Sequence, residues 1–234
     1  MKLQIFTLAL VGTFILNAHA QEEGDKRFFD QLTSEALVLS ENGLIRGSSK
    51  IKTFVADMIA STGQAYSYEK NFSIEVNSIL DYEVGTIDVD SVSYSAMFLK
   101  KKGESSGPEI EFLVIYKREN TKDQLSDLDQ SRKEWMQWCN AHRVDDLVKN
   151  LYTSNAYYYN RGRLLQGTKS LIAEYSYMNS LDYSLMLTPK HITLVRSDIA
   201  YEIGRCSGSY PNPYMLLWEK QADGRWVVLM DSND

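Results

Sequence analysis

The sequence predicts two tandem α+β domains, each with helices on one face of a curled antiparallel sheet. Internal repetition is the first observation behind this. Leu32-Thr33-Ser34-Glu35-Ala36 returns as Tyr152-Thr153-Ser154-Asn155-Ala156, and Leu44-Ile45-Arg46-Gly47 returns as Leu164-Leu165-Gln166-Gly167. Tyr82-Glu83-Val84-Gly85 returns as Tyr201-Glu202-Ile203-Gly204. The spacing is about 120 positions each time, far longer than the roughly 20–50 residues of a solenoid repeat, so whole domains recur. The second observation is the order of patterns in the later copy, where helical periodicity comes first and strand-like runs follow. The third is that the earlier copy reads as shorter at both ends.

Residues 1–20 read as a leader outside the fold. Lys2 precedes a mostly apolar run over 3–16, and Ala18-His19-Ala20 gives the small-x-small pattern of a cleavage site before Gln21. No later run approaches the roughly 18 apolar residues that span a bilayer. The expectation is an exported chain with no membrane segment after cleavage, whose domains occupy 21–121 and 122–234. The net charge is −6, and no basic patch of the kind phosphate backbones attract is visible. Lys100-Lys101-Lys102, followed by Gly103, reads as a solvated turn. Nucleic acid is not an expected partner.

In the second copy, residues 125–141 read as a helix, with Leu125, Leu128, Trp135, Trp138 and Cys139 near one face. Residues 145–151 continue as a short helix with Leu147, Val148 and Leu151 inward. A short aromatic strand follows at 156–159, then the turn Asn160-Arg161-Gly162. Thr168 can cap a helix running to about Met178. Strands are expected at 183–187, 192–195, 199–206, 214–220 and 226–230, with Asp223-Gly224 as a hairpin turn between the last two. In the first copy only 21–26 precede Arg27-Phe28-Phe29, so the long first helix has no counterpart. There, 112–117 matches 215–220 and nothing answers 226–230. The expected consequence is bare apolar sheet, covered by the helix 125–141, by the second copy or by another subunit.

Two cysteines, Cys139 and Cys206, are too few for a disulfide framework and can be bridged or remain buried thiols. No Cys/His group has zinc spacing, so no metal and no cofactor are expected. His142 reads as a helix-end residue and His191 as a strand residue without an acidic neighbour. Asn71-Phe72-Ser73 is a glycosylation sequon. No nucleophile elbow, P-loop or dinucleotide fingerprint occurs.

The helix–helix–strand–helix–strands order resembles the nuclear transport factor 2-like superfamily, and within it the SnoaL-like, DUF4440-type branch. Carrying residues are Trp138-Cys139-Asn140-Ala141-His142-Arg143-Val144-Asp145, Leu151-Tyr152-Thr153-Ser154-Asn155-Ala156 and Leu165-Gln166-Gly167. Ile199-Ala200-Tyr201-Glu202-Ile203-Gly204, Tyr214-Met215-Leu216-Leu217-Trp218-Glu219-Lys220 and Asp223-Gly224-Arg225-Trp226 complete the set. The resemblance implies a cone, with a curved sheet wrapped around helices and an open-ended pocket. It also implies a homodimer through the sheets, or a monomeric pseudo-dimer if one chain's two halves cover each other. In the family's ketosteroid isomerases the general base is an Asp on the first strand, and here the matching position holds Asn160, whose amide takes no proton near neutral pH. Their oxyanion-binding Tyr matches Trp135, which offers one N–H.

Ten of the fifteen tyrosines lie at or after Tyr152. Period-two alternation puts Tyr157 and Tyr159 on one face of their strand and Tyr158 on the other. The candidate pocket residues are Trp135, Trp138, Tyr157, Tyr159, Asn160, Tyr201, Tyr214 and Trp218, a wall suited to a small apolar or aromatic ligand or to plain core filling. Glu202 recurs with Glu83 at equivalent positions and shares a face with Gly204 and Cys206. It reads as a sheet-face carboxylate, solvated or paired with a Lys or Arg, and as an acid–base candidate if it points into an apolar pocket. The leading functional expectation is a noncatalytic small-molecule-binding or dimerising protein. The alternative is an isomerase, dehydratase or cyclase using Glu202 or Asp198 with pocket tyrosines.

Overall fold

The structure is a computed structural model that describes residues 28–60, 66–103, 107–121 and 125–233. The expected leader and cleavage site lie outside the described residues. The first unit has strands β1 (Leu32–Ser40), β2 (Gly43–Arg46), β3 (Tyr66–Asn77), β4 (Leu80–Val89), β5 (Val92–Lys101) and β6 (Glu109–Lys117), with helix α1 (Ser48–Ala60) between β2 and β3. The second opens with α2 (Ser126–Asn140) and α3 (Val144–Leu151), then β7 (Tyr152–Asn160), β8 (Arg163–Gln166) and α4 (Thr168–Tyr175). It closes with β9 (Leu185–Arg196), β10 (Ile199–Gly208), β11 (Pro213–Lys220) and β12 (Trp226–Ser232).

Each unit is a six-stranded sheet. The orders are β2-β1-β6-β5-β4-β3 and β8-β7-β12-β11-β10-β9, the same arrangement with every label advanced by six. In each, the last strand returns to pair in parallel with the first, β6 on β1 through Val38↔Leu113 and β12 on β7 through Asp231↔Tyr158. Every other pairing is antiparallel. Both units therefore have the nuclear transport factor 2-like layout that the resemblance implies.

The strand inventory corrects the reading of the first copy. Residues 112–117 belong to β6, the counterpart of β12 rather than of β11, so the first sheet lacks no strand. The counterpart of β11 is β5, which lies between β4 and β6. The second copy differs in detail as well. One twelve-residue strand, β9, replaces the two short runs expected there, and a bulge near Pro189 interrupts its alternation.

Among the described residues, the first unit has no counterpart of α2 and α3. Its helix-side face is covered from within, by α1 and by Phe28 and Phe29, around Val38, Ile87, Phe98, Leu113 and Ile115. Phe28 stacks on Tyr68 at 4.6 Å and meets Phe98 edge-on at 5.2 Å. Neither α2 nor the second unit is needed there, contrary to expectation.

The two units meet through their opposite sheet faces. Tyr82, Val84, Met97, Leu99, Phe112 and Val114 pack against Tyr157, Tyr159, Tyr201, Ile203, Met215 and Leu217 in one buried layer. Fully burying a side chain of this size contributes about 1.5–3 kcal/mol. Polar contacts fix the register: Tyr201 OH donates to the Ser95 carbonyl at 3.0 Å, and Tyr82 OH lies 3.1 Å from Ser232 Oγ. At the margin, the His191 ring stacks on Phe72 at 4.9 Å. Period-two alternation explains how one strand serves two layers. On β10, Tyr201 and Ile203 face the other unit while Ala200 and Cys206 face the helices.

Candidate functional site

The helix side of the second sheet is the interior of a cone, and α2 sets its contents. Leu128, Arg132, Trp135 and Cys139 fall on its buried stripe. At the helix end His142 adopts a left-handed φ of 58° and turns the chain into α3, its Nδ1 lying 3.2 Å from the Met178 carbonyl. Val144, Leu147, Val148 and Leu151 form the inward face of α3. Between β7 and β8, Arg161 and Gly162 both have positive φ (48° and 75°), the geometry of a tight primed hairpin turn.

Glu202 lies at the centre of the cone and is fully buried, not at a solvated sheet surface. Its cationic partner, Arg132, comes from α2, and two neutral donors come from the neighbouring strand β11. Arg132 Nε and Nη2 donate to its two oxygens at 2.7 Å each, Tyr214 OH donates to Oε1 at 2.6 Å and Trp218 Nε1 to Oε2 at 3.0 Å. Arg132 also donates to Asp129 Oδ1 at 2.5 Å. Burial alone would lower the Arg132 pKa, but the hydrogen bonds and charge of Glu202 outweigh it and raise it. Burial, with the Glu202 charge, raises that of Tyr214, which stays a donor. Each carboxylate oxygen thus accepts two charge-assisted or buried bonds. No lone pair of Glu202 is left over to take a proton from a substrate.

A second buried carboxylate in the cone, Asp231, has no cation beside it among the described residues. Its Oδ2 accepts from Tyr152 OH at 2.9 Å and Tyr175 OH at 2.5 Å, and Trp135 Nε1 donates to Tyr152 OH at 3.0 Å. Burial pushes the Asp231 pKa up to about 6, against the opposing pull of the two tyrosine hydrogen bonds. Both tyrosines are themselves raised well above their ordinary range, by burial first and then by the Asp231 charge.

Asp231 faces an apolar cavity lined by Trp135, Met178, Tyr183, Leu185, Leu187 and Tyr214. The cavity measures about 20 Å³, which is room for a single water and not for a substrate. Outside it lies a wider polar cleft of about 520 Å³ at the mouth of the cone, lined by Tyr158, Asn160, Arg161, Arg163, Glu174, Tyr177, Tyr210 and Asn233. Tyr210 and Asn233 belong to both linings.

The residues singled out from sequence divide accordingly. Trp135 and Tyr214 line the cavity and Asn160 lines the cleft. Trp218 is buried beneath, bonded to Glu202. Trp138 is half-buried against the margin of the core and lines neither cavity nor cleft, with the Arg143 guanidinium 4.3 Å over its ring. Tyr157, Tyr159 and Tyr201 do not line the cone, because alternation turns all three into the layer between the sheets. Asp198 sits in the β9–β10 turn, half-exposed in a two-point ion pair with Arg196 at 2.9 and 3.0 Å. It is remote from the cone lining. Cys139 and Cys206 are buried free thiols, both pushed up to about 12 by burial.

Sequence reading missed Arg132, Asp231 and Asn233. Arg132 carried a signal, since a cation on the apolar stripe of a helix needs a buried partner. Asp231 carried less, because a register shift between Val228 and Met230 flips its parity. Among the described residues, no group of three or more His, Cys, Asp or Glu could hold a metal ion, and no helix is long and apolar enough to cross a membrane.

Known structures resemble one half of the chain at a time. A protein of unknown function from Shewanella oneidensis, described as NTF-2 like, is 24% identical over 46% of this chain and 95% of its own, with a TM-score of 0.40. An NTF2-like protein from Cytophaga hutchinsonii is 15% identical over 47% of this chain and 97% of its own (TM-score 0.37). A ketosteroid isomerase-like protein from Erwinia carotovora atroseptica is 14% identical over 48% and 96% (TM-score 0.37). No family model and no curated protein matches the chain.

Proposed function

We propose that this chain is an exported, noncatalytic protein that binds a small, largely aromatic molecule at the mouth of its second cone. The observation that carries the reading is the Glu202 network. The carboxylate recurring in both copies, the natural acid–base candidate, has all its acceptor capacity taken by Arg132, Tyr214 and Trp218. A group so engaged holds α2 to β10 and β11 and does not exchange protons with a ligand. Asn160, at the position where the isomerases place their base, supports the same reading: it is a hydrogen-bonding amide in the cleft wall. The cleft lies within the size range of small-molecule sites, about 300–1,000 Å³. Tyr177 and Tyr210 supply flat apolar surface beside polar tips.

The sheet faces that would make a homodimer pack against each other within one chain. That favours a monomeric pseudo-dimer. Native mass spectrometry of the chain purified from its own host tests both parts of the proposal. The expected spectrum is a monomer carrying a small mass that leaves on unfolding, and that is lost when Tyr210→Ala and Tyr177→Ala are combined. Turnover of a cone-bound compound that disappears with Glu202→Gln, in a variant that remains folded, would sink the noncatalytic reading.

A further inference from the structure

The mouth of the second cone already holds an occupant, and it belongs to the chain itself. Asn233, just beyond β12, sits in the cleft, where Tyr158 OH donates to its side-chain Oδ1 at 2.5 Å. Asn160 Nδ2 donates to its backbone carbonyl at 3.1 Å, and also lies 3.4 Å from its Oδ1 and 3.1 Å from Tyr158 OH. Tyr210 OH donates to the same backbone carbonyl at 3.4 Å. Three side chains from two elements, β7 and the β10–β11 loop, thus converge as donors on two amide carbonyl oxygens. Tyr158 is buried, so its hydroxyl needs a partner. Beneath Asn233 lies the apolar cavity of Leu185, Leu187, Leu216 and Tyr183, which shares Asn233 in its lining.

From this we infer that Tyr158, Asn160 and Tyr210 form a recognition site for a carboxamide carbonyl. Asn233 is an internal latch on that site, and a small aromatic carboxamide binds by displacing it. The inference rests on the binding reading above and names its ligand class. The physical argument is one of matched chemistry. Donors placed for an amide oxygen lose a buried hydrogen bond if the latch leaves without replacement. An incoming carboxamide restores that bond and adds its ring to the apolar floor, whereas a bare hydrocarbon leaves the donors unpaired. An occupied latch lowers the apparent affinity of a ligand that competes for these donors by the fraction of time it stays closed, and leaves unchanged that of a hydrocarbon, which does not compete for them.

The test measures dissociation constants of benzamide and of toluene, which has the ring without the carbonyl, by ligand-observed NMR. Three proteins are compared: the full chain, the full chain with Asn233→Ala, and a chain ended at Ser232. Benzamide is expected to bind the shortened chain about tenfold or more tighter than the full chain, and Asn233→Ala to fall between them. Toluene should change by less than about threefold. Asn160→Leu in the shortened chain should cancel the benzamide gain. Binding of both rings with no benzamide-specific gain in either variant overturns the latch and leaves the binding reading standing. Binding of neither ring to any of the three proteins overturns the binding reading and the latch with it. Should the shortened chain fail to fold by circular dichroism, Asn233→Ala decides alone: a gain of about threefold or more for benzamide supports the latch, and no gain overturns it.

Discussion

Tyr214 lies so close over Gly204 that a Cβ on the glycine would come within 2.5 Å of its ring, and the same tyrosine donates to Glu202 two residues away. The first unit repeats the device with a different tyrosine. Tyr68 covers Gly85 and bonds to Glu83, which also has Lys100 Nζ at 3.5 Å. The two tyrosines come from opposite neighbours, β11 beside β10 and β3 beside β4. The recurring Tyr-Glu-x-Gly sequence is therefore a packing unit. The glycine makes the floor on which an aromatic ring crosses to satisfy a buried carboxylate.

Added methyl groups at the two glycines should not cost the same. At Gly204 a Cβ meets the Tyr214 ring and also the Thr188 carbonyl, at 2.5 Å, which is backbone and cannot move aside. At Gly85 the three nearest atoms it meets all belong to Tyr68, a half-buried side chain on an edge strand. Gly204→Ala is expected to destabilise by about 3 kcal/mol and Gly85→Ala by nearer 1 kcal/mol. Urea denaturation of both variants checks the order; equal costs would mean that Thr188 yields.

Removing Arg132 should be more damaging than any surface charge change. Arg132→Met strands Glu202 in the core with two neutral donors and no cation, a loss of about 3–5 kcal/mol. Arg163→Met removes an ion pair to Glu174 whose arginine is mostly exposed, and is expected to cost less than about 1 kcal/mol. Chemical denaturation of the two variants side by side reads the difference. A cost below about 1 kcal/mol for Arg132→Met would show the centre of the cone to be wetter than its burial indicates.

The architecture was legible in the sequence because repetition survives packing differences. Tyr82-Glu83-Val84-Gly85 and its second copy mark equivalent strands, and alternation alone sorted Tyr157 and Tyr159 from Tyr158. What alternation could not supply was which face is the cone. That depends on where α2 docks, and it moved Tyr157, Tyr159 and Tyr201 from the expected pocket into the inter-sheet layer. Asp231 escaped notice for a local reason, the bulge in β12. Asn233 escaped because a latch made of loop and strand-end residues leaves no periodic trace.

The layer between the sheets predicts that neither unit is self-sufficient. Cut between 117 and 126, a second unit alone would expose Tyr157, Tyr159, Tyr201, Ile203, Met215 and Leu217 together. A contiguous apolar face of that kind drives association. Residues 122–234 expressed alone are expected to elute from size exclusion as a dimer or larger, and the full chain as a monomer. A stable monomer of the isolated unit would show that the layer contributes little.

Asp231 should give the fold a pH dependence of unusual sign for a carboxylate. Its folded pKa is raised from 3.8 to about 6, so the folded state holds its proton more tightly than the unfolded chain. The associated stability is fully present below about pH 4 and is lost as pH rises through about 6, a change on the order of 3 kcal/mol. Most paired carboxylates act in the opposite direction, losing stability as pH falls. The comparison that isolates Asp231 is Asp231→Asn, which keeps an acceptor for Tyr152 and Tyr175 but cannot ionise. Unfolding free energies measured between pH 4 and 8 should show the variant gaining on the parent as pH rises, with the gap opening between about 4 and 6 and constant above about 7. A gap that stays the same across this range would mean that Asp231 titrates normally and that its burial is relieved in solution.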